Sequence, residues 1–296
     1  MTGQAGYLVV GADSLVGGGL MRALERRGHK AIASTRRRNT LSDHRIYLDF
    51  EDESTFKVPA GYSYAFIVAA ATNYERCEKD PLAHRINVEL MPRLVTSLLE
   101  QGMFVTFIST NSVFGGERPW PQEDDPHAPG IAYAKQKSAA EKVIRAAIHG
   151  TDAESRLNVV RLTKILDRDT SPLPAWFAAW QRGEAVQPFA DLIFAPMSVR
   201  FVGEALATLG EQRIPGNLHL SGAENVSYVD FARSLARRLN IEPKLIAPTT
   251  AKEKGVSIPF MPRYSGIGMQ RTMELSGIRP QPLEDVVSDL TSQRIN

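Results

Sequence analysis

An α/β fold, built as a doubly wound parallel sheet with a smaller, interleaved unit toward the C-terminus, is predicted by three observations. Short apolar, β-rich runs alternate with helical patterns through the first half of the chain. Those runs are apolar almost throughout, as strands are when helices cover both faces of a parallel sheet. The alternation then loosens after residue 163, where prolines fall at 172, 174, 188 and 196.

In chain order, "YLVVG" (7–11) reads as the first strand, followed by a glycine-rich turn into a helix near 15–27. "AIAST" (31–35), "YAFIVAAA" (64–71), "FVTFIS" (104–109) and "LNVVRLT" (157–163) continue the strands, with helices near 82–101 and 133–149 between them. Later, a strand in "GNLHLSG" (216–222) and a helix over "SYVDFARSLARRL" (227–239) are the clearest elements. The expected division gives a nucleotide-binding unit at 1–163 with a returning segment at roughly 197–225. The smaller, substrate-binding unit takes roughly 164–196 and 226–296.

The 35 Lys and Arg nearly cancel the 33 Asp and Glu, and a net charge of +2 supplies no field that argues for nucleic acid or an acidic membrane. A single cysteine, Cys77, rules out an internal disulfide, and no Cys/His cluster has zinc-ligand spacing, so no metal is expected. The opening "MTGQAGYLVVGADS" carries no basic leader pattern, and its apolar run is far short of the roughly 18–20 residues of a membrane span. A cytoplasmic location, with no membrane partner, is the expectation.

"VVGADSLVGG" (9–18) has the form of a turn that carries a dinucleotide pyrophosphate against a helix N-terminus, with Leu15 and Val16 opening the helix. Gly11 and Gly17 occupy the first and third glycine positions, but Ser14 stands at the second. Its β-carbon costs on the order of 1 kcal/mol if the position needs positive φ, while its hydroxyl offers a donor to a phosphate oxygen. Altered binding is expected, not lost binding.

NAD-preferring sites place an acid at the end of the second strand to accept from the ribose 2′-hydroxyl. Here "ASTRRRN" presents Arg36, Arg37 and Arg38, with no acid until Asp43. Guanidinium forks bind a 2′-phosphate, so NADP(H) is favoured over NAD(H); a solvated basic loop is the alternative. Asp49, in "YLDFED", is placed either to contact adenine or to cap a turn.

In "AYAKQK" (132–137), Tyr133 and Lys137 lie four apart, on one face of a helix start. The preceding strand, "FVTFIST", presents Ser109 and Thr110 at the sheet edge where such folds bind ligands. A tyrosine titrates near 10, and bringing it toward 7 takes about 4 kcal/mol, which an ammonium and a cationic nicotinamide would supply. Tyr133 then gives a proton to a carbonyl while the cofactor gives hydride.

With these motifs together, the chain resembles the extended short-chain dehydrogenase/reductase superfamily and, within it, the dTDP-4-dehydrorhamnose reductase family. The resemblance spans nearly the whole chain. It rests on "GADSLVG", "VAAATNYERCEKDPLAHRINVE", "FISTNSVFGGE", "YAKQK", "GNLHLSG…FARSLA" and "MPRYSGIGMQRTMELSGIRP…LEDVV". It implies a Rossmann-like domain with an interleaved sugar-nucleotide domain and a Thr110/Tyr133/Lys137 triad that reduces a keto sugar on a nucleoside diphosphate. Thr110 would hold the substrate oxygen, Tyr133 would be the general acid, and Lys137 would bind nicotinamide ribose while lowering the Tyr133 pKa. Ala69, Ala70, Ala71, Asn87 and Ser109 are expected at the cofactor.

The chain also departs from the pattern. "STNSVF" puts Asn111 and Ser112 where the family usually has an acid and an aromatic, and only Asp191 and Pro196 remain of its "DQxGxPT". Lys164 stands near a usual tryptophan; it would pair with a phosphate or acidic substrate, or lie in an exposed loop. Asn111, Ser112, Lys164 and Asp191 are therefore the substrate candidates. Asn111 and Ser112 cannot transfer the protons a 4,6-dehydratase needs. A nucleotide-sugar epimerase and a non-catalytic NADP(H)-binding regulatory subunit remain as alternatives. Cys77 reads as a small buried residue, His84 and His127 carry no spacing argument, and the helices near 82–101 and 133–149 imply a homodimer by analogy alone.

Overall fold

Residues 6–292 are described by the computed structural model; the ends of the expected division, 1–5 and 293–296, lie outside them. The first half runs β1 (Gly6–Val10), α1 (Leu15–Arg26), β2 (Ala31–Thr35), β3 (Arg45–Tyr47), β4 (Tyr62–Ile67), α2 (Tyr74–Lys79), α3 (Pro81–Arg85), α4 (Met91–Glu100), β5 (Phe104–Thr110), α5 (Ala132–Ile148) and β6 (Leu157–Leu162). The second half runs β7 (Lys164–Leu166), α6 (Leu173–Gln181), β8 (Ile193–Phe194), β9 (Pro196–Ser198), α7 (Val199–Gln212), β10 (Gly216–Leu220), β11 (Val226–Ser227), α8 (Tyr228–Leu239), α9 (Gln270–Ser276) and α10 (Leu283–Ser292).

Seven strands pair in the order β10-β6-β5-β4-β1-β2-β3, every neighbour parallel. The doubly wound sheet is therefore as expected. The order reverses between β1 and β4, and the crevice this opens at the strand C-termini is where such sheets take ligands. Leu20 and Leu24 of α1 and Val202 and Leu206 of α7 cover one face. Leu94 and Leu98 of α4, with Ile144 of α5, cover the other. Helices α1 and α7 meet through glycine: a β-carbon on Gly203 would lie 2.5 Å from the Gly19 carbonyl oxygen.

Two elements differ from expectation. The strand expected over 64–71 starts at Tyr62 and ends at Ile67. Val68 and Ala69 both donate to the Val10 carbonyl (2.9 and 3.0 Å), which turns the chain off the ladder. The single helix expected near 82–101 starts at Tyr74 and is interrupted. Asn73 caps α2, Asp80 both ends it and caps α3 ahead of Pro81, and a π-helical stretch at Ile86–Leu90 leads into α4. A cap followed by proline resets a helix whatever the apolar period says.

A third core joins three separated stretches: Leu166, Trp176 and Phe194; Phe231 and Leu235; Val287 and Leu290. Helix α9 belongs elsewhere, because its Thr272 Oγ1 accepts from the His219 amide of β10 (2.8 Å) and Met269 beside it enters the sheet core. Among the described residues, no helix is long and apolar enough to cross a membrane.

Candidate functional site

At the C-terminal ends of β1, β2 and β4 lies a cavity of about 550 Å³, whose walls include Gly11, Asp13, Ser14, Arg36, Arg37 and Ala69. Gly11 has φ +92°, and a β-carbon there would lie 2.6 Å from the Ala69 nitrogen, so only glycine fits. Its amide donates to Ser34 Oγ (3.1 Å).

Ser14 has φ −82°, so the cost foreseen for a positive φ does not arise. Nor is its hydroxyl proton free for a phosphate: Oγ donates to the Gly11 carbonyl (2.7 Å) and accepts from the Gly17 amide (3.1 Å). The serine is the N-cap of α1 and clasps the turn closed. Leu15 and Val16, both half-buried, follow it as the first helical residues, whose amides have no intrahelical carbonyl to bond.

Arg36 and Arg37 line the same cavity with exposed side chains, whereas the Arg38 guanidinium lies 3.8 Å over the Tyr47 ring. Asp49 lines the cavity too, but its carboxylate accepts from the Glu51 amide (3.1 Å) and the Tyr47 hydroxyl (3.2 Å), which is the turn role. Asp13, which the sequence reading passed over, faces the arginines. Its carboxylate accepts from Thr35 Oγ1 (2.6 Å) and Arg45 Nη2, and Arg37 Nε stands 3.9 Å away. The Thr35 hydrogen bond and the nearby guanidiniums hold its pKa below the ordinary carboxylate value.

Ala69 and Ala70 border the cavity. Asn87, expected at the cofactor, is fully buried. Its Oδ1 accepts from the Ala71 amide, and its Nδ2 donates to the Ala71 carbonyl (2.9 Å each) and to Gln136 Oε1 (2.8 Å). With its amide fully engaged, Asn87 acts as a positioning residue for the loop that ends at Ala71. Ser109 is corrected in the same way. The sheet register pairs it with Arg161, and its hydroxyl donates to buried Glu141, which is ion-paired to Arg161 (2.7 Å).

Thr110 ends β5, and Tyr133 and Lys137 stand one turn apart at the start of α5. The Tyr133 phenol is half-buried, and its ring lies 5.7 Å from that of Tyr74. The phenol is not shifted toward neutrality as expected; burial and then Tyr74 push its pKa up. Lys137 is buried, and its Nζ donates to the Ile108 carbonyl (2.8 Å) and lies 3.9 Å over the Phe107 ring. Burial lowers its pKa to about 7.

Three of the four substrate candidates bond to other parts of the protein. Asn111 Nδ2 donates to the Ser265 carbonyl (2.7 Å), which ties the 3₁₀ turn Asn111–Phe114 to the loop that holds Ser265. Ser112 is buried, with its hydroxyl 3.0 Å from Thr110 Oγ1. The Asp191 carboxylate accepts from the Ala251 amide (3.1 Å), and Lys164 is exposed at the start of β7. Tyr74 is the feature that was missed. It stands beside Tyr133 and adds to the raised pKa of Tyr228, yet as the first residue of a short capped helix it had no motif to mark it.

A family described as the RmlD substrate binding domain matches residues 6–294. A probable dTDP-4,6-dihydroxy-2-methyloxan-3-one 4-ketoreductase from Streptomyces antibioticus is 26% identical over 90% of this chain and 87% of its own. Methionine adenosyltransferase 2 subunit beta from Pongo abelii is 26% identical over 82% of this chain and 75% of its own. Among solved structures, a dTDP-4-dehydrorhamnose reductase from Bacillus anthracis strain Ames in complex with NADP superposes with a TM-score of 0.81 at 21% identity. That superposition covers 98% of this chain and 100% of the other, and it establishes the shared fold.

Proposed function

This chain belongs to the RmlD substrate binding domain family, within the extended short-chain dehydrogenase/reductases, and on that premise we propose that it is an NADPH-dependent reductase of a keto sugar nucleotide. The observation that carries the reading is that the end of β5, with Thr110, is joined to the start of α5, with Tyr133 and Lys137, by the Lys137 bond to the Ile108 carbonyl, on the same strand-end edge of the sheet as a cavity that suits a dinucleotide. The fit rests on the glycine-only approach of Gly11 to Ala69, the capped start of α1 and the two exposed arginines. The likeness to a dTDP-sugar ketoreductase supports the substrate class.

A nicotinamide held there would supply the hydride that a carbonyl reduction needs. Tyr133, kept protonated by its raised pKa, donates its phenolic proton to the carbonyl oxygen. Thr110 holds that oxygen. Lys137 would anchor the nicotinamide ribose through the N–H donors that its bond to the Ile108 carbonyl leaves free.

The test is NADPH oxidation in the presence of a dTDP-4-keto-6-deoxyhexose. Tyr133→Phe keeps NADPH affinity by calorimetry and loses about 10²–10⁴ of turnover; undiminished turnover overturns the acid role. The likeness to methionine adenosyltransferase 2 subunit beta favours a second reading, a dinucleotide-binding subunit of a larger assembly. NADPH binding without turnover of any keto sugar nucleotide would select it.

A further inference from the structure

We propose that Asp13 sets cofactor selection, opposing the 2′-phosphate and offering the ribose 2′-hydroxyl an acceptor, so that the pocket takes NADH as well as NADPH. The proposal rests on the reading of the 550 Å³ cavity as a dinucleotide site. In such sites the acid that receives the 2′-hydroxyl stands at the end of the second strand. Here that strand ends at Thr35, followed by Arg36, and a carboxylate enters the same place from the opposite wall, out of the glycine-rich turn.

Three contacts fix it there. Thr35 Oγ1 donates to Oδ2 (2.6 Å), Arg45 Nη2 donates to Oδ1, and Arg37 Nε stands 3.9 Å from Oδ2. Two carboxylate oxygens offer about four acceptor positions, so two donors leave capacity for a third. The Asp13 side chain keeps 24% of its surface exposed, and Asp13 is part of the cavity lining. Of the Arg45 guanidinium, Nη2 donates to Asp13 while Nε is buried without a hydrogen-bond partner.

The electrostatic consequence has a definite sign. A 2′-phosphate brings about −1.5 to −2 charges, and a fixed carboxylate in the same cavity repels it while offsetting part of the pull of Arg37. A ribose hydroxyl meets neither cost and finds an acceptor. The arginines and the acid therefore act against one another, and the pocket discriminates less than its three consecutive arginines imply.

The test is calorimetric titration of the wild-type protein and Asp13→Asn with NADPH and with NADH, with circular dichroism as a check on folding. Asparagine keeps an oxygen for Thr35 but removes the charge. NADPH binding should tighten and NADH binding weaken, moving the affinity ratio about tenfold toward NADPH, which is about 1.4 kcal/mol. Asp13→Ser gives the same shift if Asp13→Asn does not fold. An unchanged ratio, or a shift toward NADH, overturns the role of Asp13 while leaving the dinucleotide site intact. Wild-type protein that binds neither nucleotide overturns the site itself and this inference with it.

Discussion

Two hydrogen bonds from one hydroxyl decide what Ser14 means: Oγ gives its proton to Gly11 and caps the Gly17 amide. Ser14→Ala, which loses both, should cost about 1 kcal/mol in urea denaturation, whereas Ser14→Gly should cost only a few tenths. Equal losses would show that the cap is not what the serine contributes. A residue's type and spacing were legible in the sequence, and they placed Gly11, Ser14, Arg36 and Arg37 around one cavity. What a given side chain bonds was not. Asn87, Ser109 and Ser112 sit in quoted motifs, yet each spends its polar atoms on a buried protein partner contributed by another part of the chain or by a neighbouring turn residue. Asp13 sat inside the glycine motif and passed unnoticed because its partners, Thr35 and Arg45, are 22 and 32 residues away.

Strand β5 and helix α5 are joined by Lys137, whose buried ammonium reaches the Ile108 carbonyl across the layer. Burial takes its pKa from 10.5 down to about 7 in the folded protein, while an unfolded chain keeps the ordinary value. Between those values the unfolded state binds a proton that the folded state does not, so this lysine's contribution to stability rises with pH across the window. Below about pH 7 both states are charged and the full cost of burying the ammonium is present. Lys137→Met should therefore be more stable than wild type at pH 6, with a gap that shrinks by up to about 1.4 kcal/mol per pH unit on going toward pH 10. Denaturation curves at pH 6, 8 and 10 check this, and a gap independent of pH would contradict it. Strands and helices with a strong apolar period were readable to within a residue or two at β2, β5 and α5. The stretch before α4 was not, because its breaks are set by Asn73 and Asp80 capping side chains and a π turn, which leave the apolar period undisturbed.

Taken whole, the molecule has a core on each face of the sheet and a third built from stretches far apart in the chain. Phe231, 1% exposed, packs against Phe194 (5.4 Å between rings) and Trp176 (6.4 Å) in that third core. Phe231→Ala should cost about 3–5 kcal/mol through the cavity it leaves. NADPH affinity should stay unchanged in the folded variant, because the dinucleotide cavity is built on the sheet; a coupled loss of affinity would place the third core in the cofactor site. The doubly wound sheet could be inferred from alternation alone, while the path of α9 back onto β10 could not, since it depends on hydrogen bonds between residues far apart in the chain, Thr272 to the His219 amide and Gly268 to the His219 ring, and on Met269 filling the sheet core. The sheet closes on β10, which follows β6 in space but trails it by roughly 60 residues in the chain. On the ribosome, at roughly 5–20 residues per second, β6 emerges some 3–12 s before its outer neighbour. Throughout that interval the nascent chain carries an apolar strand with an open edge, so the step of its life that most needs a chaperone falls during synthesis, before the last strand of the sheet exists.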